Sequence, residues 1–438
     1  MNRRLTMMFF FILPTMLALA GCGTLRVSVS ESGGDANGRS EFAVVSANGR
    51  YVAFESEADN LVANDTNGQV DAFVRDMLDG VTSLVSVSSL GAQGDDLSDP
   101  QDISADGRYV AFISRATNLV PNDTNGAQDI FVRDIQDGKT TRVSIATGGT
   151  EGNDTSNGVR ISDDGRYVAF YSWATNLVAG DTNGQPDVFV HDRQTGTTER
   201  VSVATGGGQA NDQSRGIAIS GDGRYVAFRS WATNLVPGDT NGEPDIFVHD
   251  RQTGATERVS VATGGGQSNG ESSQPALSAD GRYVAFDSVA DNLVPGDSND
   301  VTDVFVHDRQ TGVTERVSVS TNDDEGNDAS SEASISADGS QVAFDSWASN
   351  LVPGDANGAL DVFVRDRSTH VTARISINFN DGGDSNDGSY DADISANGRY
   401  VAFTSDATNI VYGDNNGLRD VFIHDRYYLD VFLPVVLK

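Results

Sequence analysis

Seven times along this chain, acid and amide side chains fall at a spacing that suits a hard cation. The pattern D-x-N-G-x-x-D supplies Asp65, Asn67 and Asp71; Asp123, Asn125 and Asp129; Asp181, Asn183 and Asp187; Asp239, Asn241 and Asp245; Asp355, Asn357 and Asp361; and Asp414, Asn416 and Asp420. A seventh copy begins at Asp297, with Asp300 in place of the glycine. Carboxylate and amide oxygens in a tight, glycine-assisted loop are Ca²⁺ chemistry. Three side chains fall short of the six to eight oxygens that Ca²⁺ takes, so carbonyls, water or a neighbouring loop must supply the rest. The same residues also form Asx turns, in which the side chain hydrogen-bonds its own backbone. Both readings stand at this point.

Other chemistry is sparse. There is no G-x-S-x-G, no H-E-x-x-H and no glycine-rich phosphate loop entering a helix; Gly206-Gly207-Gly208 sits between two strand patterns as a turn. Four of the five histidines (His191, His249, His307 and His424) share one repeat position with Arg75, Arg133 and Arg365, which marks a packing group rather than a general base. One column of equivalent positions varies while its neighbours do not: Val44, Asp102, Arg160, Ala218, Ala276, Ser334 and Asp393. Asp102, Arg160 and Asp393 are the candidates for a polar channel wall, against the alternative of solvated rim residues.

These residues are placed by a repeat. The segment DGRYVAF or a near copy recurs with its glycine at Gly49, Gly107, Gly165, Gly223, Gly281, Gly339 and Gly398, at spacings of 58 and once 59 residues. The Asp/Asn loops keep the same beat, so two independent anchors define seven units. Each unit reads as four short strands. In the third, these run Val159 to Ser162, Tyr167 to Ser172, Val188 to Asp192 and Glu199 to Ala204, with Asp-Gly and Thr-Gly reversals between them. No long 3.6-residue apolar period follows residue 22. An all-β, seven-bladed β-propeller with four antiparallel strands per blade is predicted. If its strand order is that of WD-repeat propellers, the Asp/Asn loops emerge on one face with a second polar set at Asn153, Asn211, Asn269, Asn327 and Asn386, and that face is acidic.

The pattern S-x-D-G-R-Y-V-A-F-x-S followed by D-V-F-V-x-D resembles TolB-like propeller repeats, relatives of the WD40-like class. The resemblance spans nearly the whole chain after residue 22 and implies the fold, while propellers host both enzymes and binding platforms. TolB carries a separate α/β domain before a six-bladed ring, and nothing in this sequence matches it, so a Tol–Pal role is not expected. The Asp/Asn loops also resemble the calcium loops of integrin-type propellers. Their first acid is replaced by Ala63, Pro121, Ala179, Pro237, Pro295, Pro353 and Tyr412.

A propeller must join its first and last blades or leave open edges. Thr24 to Val29 matches Thr198 to Val203 three periods later, while the last unit stops at Arg426 without a fourth strand. Leu25 to Ser30 is therefore expected to complete blade seven as its outermost strand, beside Val421 to Asp425. The alternative is the apolar tail, residues 427–438, which fits the repeat poorly and carries Pro434.

Arg3, Arg4, the apolar run Met7 to Ala20 and the end Leu19-Ala20-Gly21-Cys22 resemble a bacterial lipoprotein signal. That resemblance implies removal of residues 1–21, lipidation of Cys22, and a propeller of residues 22–426 held close to the outer side of a membrane. With 30 basic and 63 acidic residues the formal charge is −33, which argues against nucleic acid as a partner. Cations, basic proteins and neutral glycans remain. The expected function is that of a monomeric, non-enzymatic binding module for a protein or glycan. The competing class is a hydrolase or lyase acting on extracellular polymer at the channel, which a cluster of unlike acids and bases at its mouth would favour.

Overall fold

A computed structural model describes residues 23–427. Cys22, the segment 1–21 and the tail from residue 428 lie outside the described residues. Among those described there is no helix; the strands form seven four-stranded antiparallel sheets arranged as a ring of blades. In six blades the chain order is the sheet order, as in blade four: Ser214–Ile219 innermost, then Tyr225–Ser230, Asp245–Asp250 and Ala255–Arg258.

Blade seven is closed from the other end of the chain. Thr24–Arg26 pairs antiparallel with Asp420–Asp425, in the register Thr24–His424, Leu25–Ile423 and Arg26–Phe422. The predicted closure therefore holds, with a shorter regular strand than Leu25 to Ser30. Beyond Arg26, Val27 N–H still donates to Val421 O (2.7 Å), and the chain then turns back through a Val29–Asp35 bridge. Every other blade makes the same turn, for example at Val203–Gln209.

The VAF runs are apolar without alternation because both faces of each second strand are covered by neighbouring blades. Val226, Ala227 and Phe228 are all 0% exposed, and a typical cluster joins Val188, Val190 and Val201 of blade three to Ile217, Phe228 and Phe247 of blade four. Each blade stacks the Phe of its second strand on that of its third, as in Phe170–Phe189 (5.9 Å between ring centroids).

The DGRY motif staples the lower rim, where first strands turn into second and third into fourth. Gly223 has φ +71°, and a Cβ there would lie 2.2 Å from Tyr167 of the preceding blade. Only glycine accepts both conditions. Tyr167 lies between Arg166 (4.7 Å) and Arg251 (4.3 Å), and Arg251 also donates to Gly223 O. Arg224 grips Asp250 with two hydrogen bonds of 2.9 and 2.7 Å. Backbone N–H groups of Ala47, Ala105, Asp163, Gly221, Ala279 and Ala337 each donate to the C=O of the next blade, drawing the lower end of the channel together.

Candidate functional site

The upper face carries the Asp/Asn loops and the mouth of the central channel, and the two differ in kind. As the strand order required, the two polar loop sets share that face and are tied together. Asn211 accepts from Thr233 N (3.0 Å) and donates to Thr233 Oγ1 (3.1 Å), and its own N–H meets Asn234 Oδ1 (3.0 Å).

Within each loop the side chains serve the fold. Asn183 Oδ1 accepts from Gln185 N (3.1 Å), an Asx turn, while Nδ2 donates to Asp187 Oδ2 (3.2 Å) and Ala210 O (3.1 Å). Buried Asp187 accepts from Ser202 Oγ at 2.6 Å. The charge that answers the paired carboxylates is a guanidinium from the outer strand. Arg200 lies 3.4 Å from Asp181 and 3.2 Å from Asp187. Arg258 holds Asp239 and Asp245, Arg316 holds Asp297 and Asp303, and Arg374 holds Asp355 and Asp361. Arg142 holds Asp123 and Asp129 together with Glu151, and Arg26 holds Asp414 and Asp420 together with Asp35. Blade one differs in its countercharge alone: Leu84 stands at that position, while burial raises the Asp65 carboxyl to about 6 as it does those of Asp123, Asp297, Asp355 and Asp414. The carboxylates could take a metal ion, Asp123, Asp129 and Glu151 together and Asp297, Asp303 and Glu325 together; in both groups an arginine already occupies the centre.

The histidines sit in the same frame. His249 Nδ1 lies 2.9 Å from Thr256 Oγ1, whose hydroxyl donates to Val203 O of the preceding blade (2.5 Å). The imidazole must then donate from Nδ1, and burial holds its pKa below the ordinary value. In blade two, Arg133 makes the equivalent bond to Thr140.

Asp102, Arg160 and Asp393 line the central channel, a cavity of about 540 Å³, with Val44, Ala218, Ala276 and Ser334 in the same layer. They join blades rather than standing free. Asp102 accepts from Ile161 N of blade three (2.7 Å), and Asp393 accepts from Val45 N of blade one (2.8 Å) and from Ser334 Oγ (2.8 Å). Arg160 donates to Gln101 O (3.0 Å). Burial pushes the Asp102 carboxyl up to about 7 against the lowering charge of Arg160.

Just above lies a layer that the sequence reading missed. Every innermost strand is bulged near its start, at Phe42, Gln101, Gly158, Gly216, Gln274, Glu332 and Asp391. Phe42, Gln274, Glu332 and Asp391 adopt φ between 48° and 56°, which non-glycine residues rarely do. Behind the bulges, the last variable residues of the second strands are Glu55, Ile113, Tyr171, Arg229, Asp287, Asp345 and Thr404. Burial, then the charges of Asp99 and Glu41, push Glu55 up to about 9. Burial also raises Asp99 and Asp287 to about 6. Five buried polar atoms of this layer have no hydrogen-bond partner: Asp99 Oδ1, Asp287 Oδ1, Asp345 Oδ1, Thr404 Oγ1 and Arg229 Nε. Arg229 and Arg215 stack on Trp231 (4.0 and 4.7 Å), and Trp173 and Trp347, at the same position of blades three and six, are partly exposed. A comparison of the second-strand columns, where seven residues of six types follow an unchanging VAF, holds the signal that would have found this layer.

No family model and no curated protein sequence matches the chain. Among solved structures it is similar to the oligogalacturonate lyase of Vibrio parahaemolyticus, at 13% identity and TM-score 0.51, covering 93% of this chain and 97% of that one. An oligogalacturonate lyase in complex with manganese gives 11% identity and TM-score 0.52, covering 93% and 98%. TolB of Acinetobacter baumannii gives 18% identity and TM-score 0.41 over 78% of this chain, which spans 64% of TolB's length. At these identities the likeness is one of fold: the chain is a seven-bladed β-propeller whose neighbours in structure include TolB proteins and oligogalacturonate lyases.

Proposed function

We propose that this chain is an extracytoplasmic, lipid-anchored, monomeric binding module that takes a glycan or a protein segment at the upper mouth of its channel. The observation that carries the reading is the set of five partnerless buried polar atoms in one layer around that mouth. A buried polar atom without a partner costs on the order of 1–3 kcal/mol, and a ligand with complementary hydroxyl or amide groups removes that cost. Exposed tryptophan on the same face suits sugar rings or a peptide backbone. The net charge of −33 turns away phosphate polymers.

The anchor fits this orientation. Gly23 O accepts from Asp425 N on the lower rim, so a tether at Cys22 leaves from the face opposite the mouth. Calcium at the loops belongs to this reading most simply in blade one, where no arginine answers Asp65 and Asp71; elsewhere the ion must displace a guanidinium. The test is a glycan array and peptide panel probed with the lipid-free protein. Binding should fall at least about tenfold in Asp287→Asn and Asp99→Asn, the size of effect expected for lost buried hydrogen bonds, and survive Asp181→Asn. Binding indifferent to the mouth variants overturns the assignment.

One observation favours a second reading, a hydrolase or lyase acting on extracellular polymer. Carboxyl groups in unlike surroundings stand together at the mouth: burial pushes Glu55 up to about 9, while Glu41 opposite it is paired with Arg419. Such inequality is what acid–base work needs, and the oligogalacturonate lyases share the ring. Incubation with uronate-containing and neutral oligosaccharides, read by mass spectrometry, decides it: turnover lost in Glu55→Gln with binding kept is the enzymatic outcome.

A further inference from the structure

We propose that Glu332, Asp345 and Asp391 form a hard divalent-cation site, calcium by preference, in the wall of the channel mouth between blades six and seven. Each offers one carboxylate oxygen, and these three atoms lie within 4.8 Å of one another. Two Ca–O bonds of about 2.3–2.6 Å span such separations without movement of the chain.

What distinguishes this triad from the two in the loops is its charge balance. Arg142 and Arg316 sit inside the loop triads, 3.1–3.3 Å from their aspartates. Among the described residues, no ion pair reaches Glu332, Asp345 or Asp391; the nearest guanidinium acting on Asp391 is Arg419, already engaged by Glu41 and Asp406. Three carboxylates around one point with no countercharge must either keep protons or gather a cation.

A second observation points to a ligand at this place. Asp345 is 1% exposed; its Oδ2 accepts from Asp391 N (2.8 Å), and its Oδ1 has no partner at all. Thr404, 0% exposed, also leaves its hydroxyl unpartnered. It stands opposite Tyr390, next to the bulge that carries Asp391. The bulges at Glu332 and Asp391 bring both acids out of the ladder toward the channel, which they line. With three carboxylates supplying part of a shell of six to eight oxygens, the remaining positions open onto the channel, where water or an oxygen-rich ligand completes them.

The test uses the ion alone, so it succeeds or fails independently of any glycan or peptide ligand. Calcium chloride is titrated calorimetrically into the chelator-treated full chain at fixed ionic strength. The chain carries Asp65→Asn and Asp71→Asn, so that the blade-one loop does not contribute, and one site is expected. Glu332→Gln, on a half-buried side chain that a folded chain tolerates, and Asp391→Asn should each weaken it at least about tenfold, as loss of a charged ligand does. Asp123→Asn and Asp297→Asn, in the arginine-filled loops, should leave it within about twofold. Near-ultraviolet circular dichroism checks that each variant is folded. Absence of saturable calcium binding at millimolar concentration overturns the proposal. So does binding that survives the Glu332→Gln/Asp391→Asn double variant, or a response that sodium reproduces.

Discussion

The lower rim and the upper mouth of this ring are built from the same seven repeats, yet they have gone opposite ways. Below, nearly every blade presents the same side chains: a Tyr against the next blade's Gly, an Arg over that Tyr, and an Arg–Asp fork. Blade six is the exception: Ser340 and Gln341 stand where the other blades carry Arg and Tyr, so the Arg–Asp fork is lost there, while Gln341 still meets Gly398. Above, the equivalent positions behind the bulges are Glu55, Ile113, Tyr171, Arg229, Asp287, Asp345 and Thr404. Closing a ring demands one rotation repeated seven times, so residues that set the rotation cannot differ. The mouth carries no such duty. Its residues can differ, and only a set that differs can make an asymmetric site. Internal repetition therefore marks what holds this molecule together, and its breakdown marks where to look for what the molecule does.

The comparison can be broken most forcefully at the seam. Deleting residues 24–30 removes Val27 from the core and strips Asp420 of the Ser28 hydroxyl that it accepts at 2.5 Å. A loss on the order of 3–6 kcal/mol is expected in chemical denaturation; an unchanged midpoint would mean that the ring does not depend on its clasp. Next comes Gly223→Ala, expected to cost about 2–4 kcal/mol through left-handed strain and the Tyr167 ring. Gly207→Ala, with φ +89° but nothing within 4 Å, should cost only about 1 kcal/mol. Equal losses for the two would remove close packing from the account of the lower rim.

Acid and base should act on the two regions in opposite directions. Arg50 holds the Asp76 carboxyl down at about 2. Its contribution is present above the ordinary carboxylate range and is lost as pH falls through the folded value. Asp102, pushed up to about 7 by burial, keeps a proton that the unfolded chain releases near 4. The folded state then binds more protons between those values, and its stability falls as pH rises from about 4 to 7, by at most about 1.4 kcal/mol per unit. Asp102→Asn should flatten that alkaline limb and leave the acid limb of the rim intact. A denaturation series across pH with both limbs unchanged would contradict the placement of Asp102. The smallest effect is expected from His249→Arg, within about 1 kcal/mol, because Arg133 already fills this place in blade two with the same threonine partner.

Much of the frame was legible because it repeats. Blade number, strand order and the closing strand follow from two anchors in register, and the histidine column was readable as packing because symmetric copies carry arginine. What could not be read was partnership across the turn of a blade. Arg200 appears in the run TERVSV, which identified the closing strand, but nothing in its spacing shows a guanidinium reaching back to Asp181 and Asp187. The closing strand came out shorter than expected because Val29 is taken by its bridge to Asp35, a fold-back that the repeat hides within the loop leading to the next blade. The mouth layer was passed over for a physical reason. A bulge shifts the register by one residue, so a column aligned by period alone pairs Asp102 and Asp393 with the channel but leaves Glu332 and Asp391 looking like ordinary alternation.

The clasp also has a mechanical side. Gly23 and Asp425 lie side by side at one corner of the ring, joined by a single backbone bond. A pull separating the chain's two ends would load that corner first and open Thr24–His424, Leu25–Ile423 and Arg26–Phe422 one rung at a time, as a zip opens. A pull on Gly23 directed along its strand, with the ring held elsewhere, loads all three rungs together and meets far more resistance. The molecule is thus strong or weak according to the direction of the load.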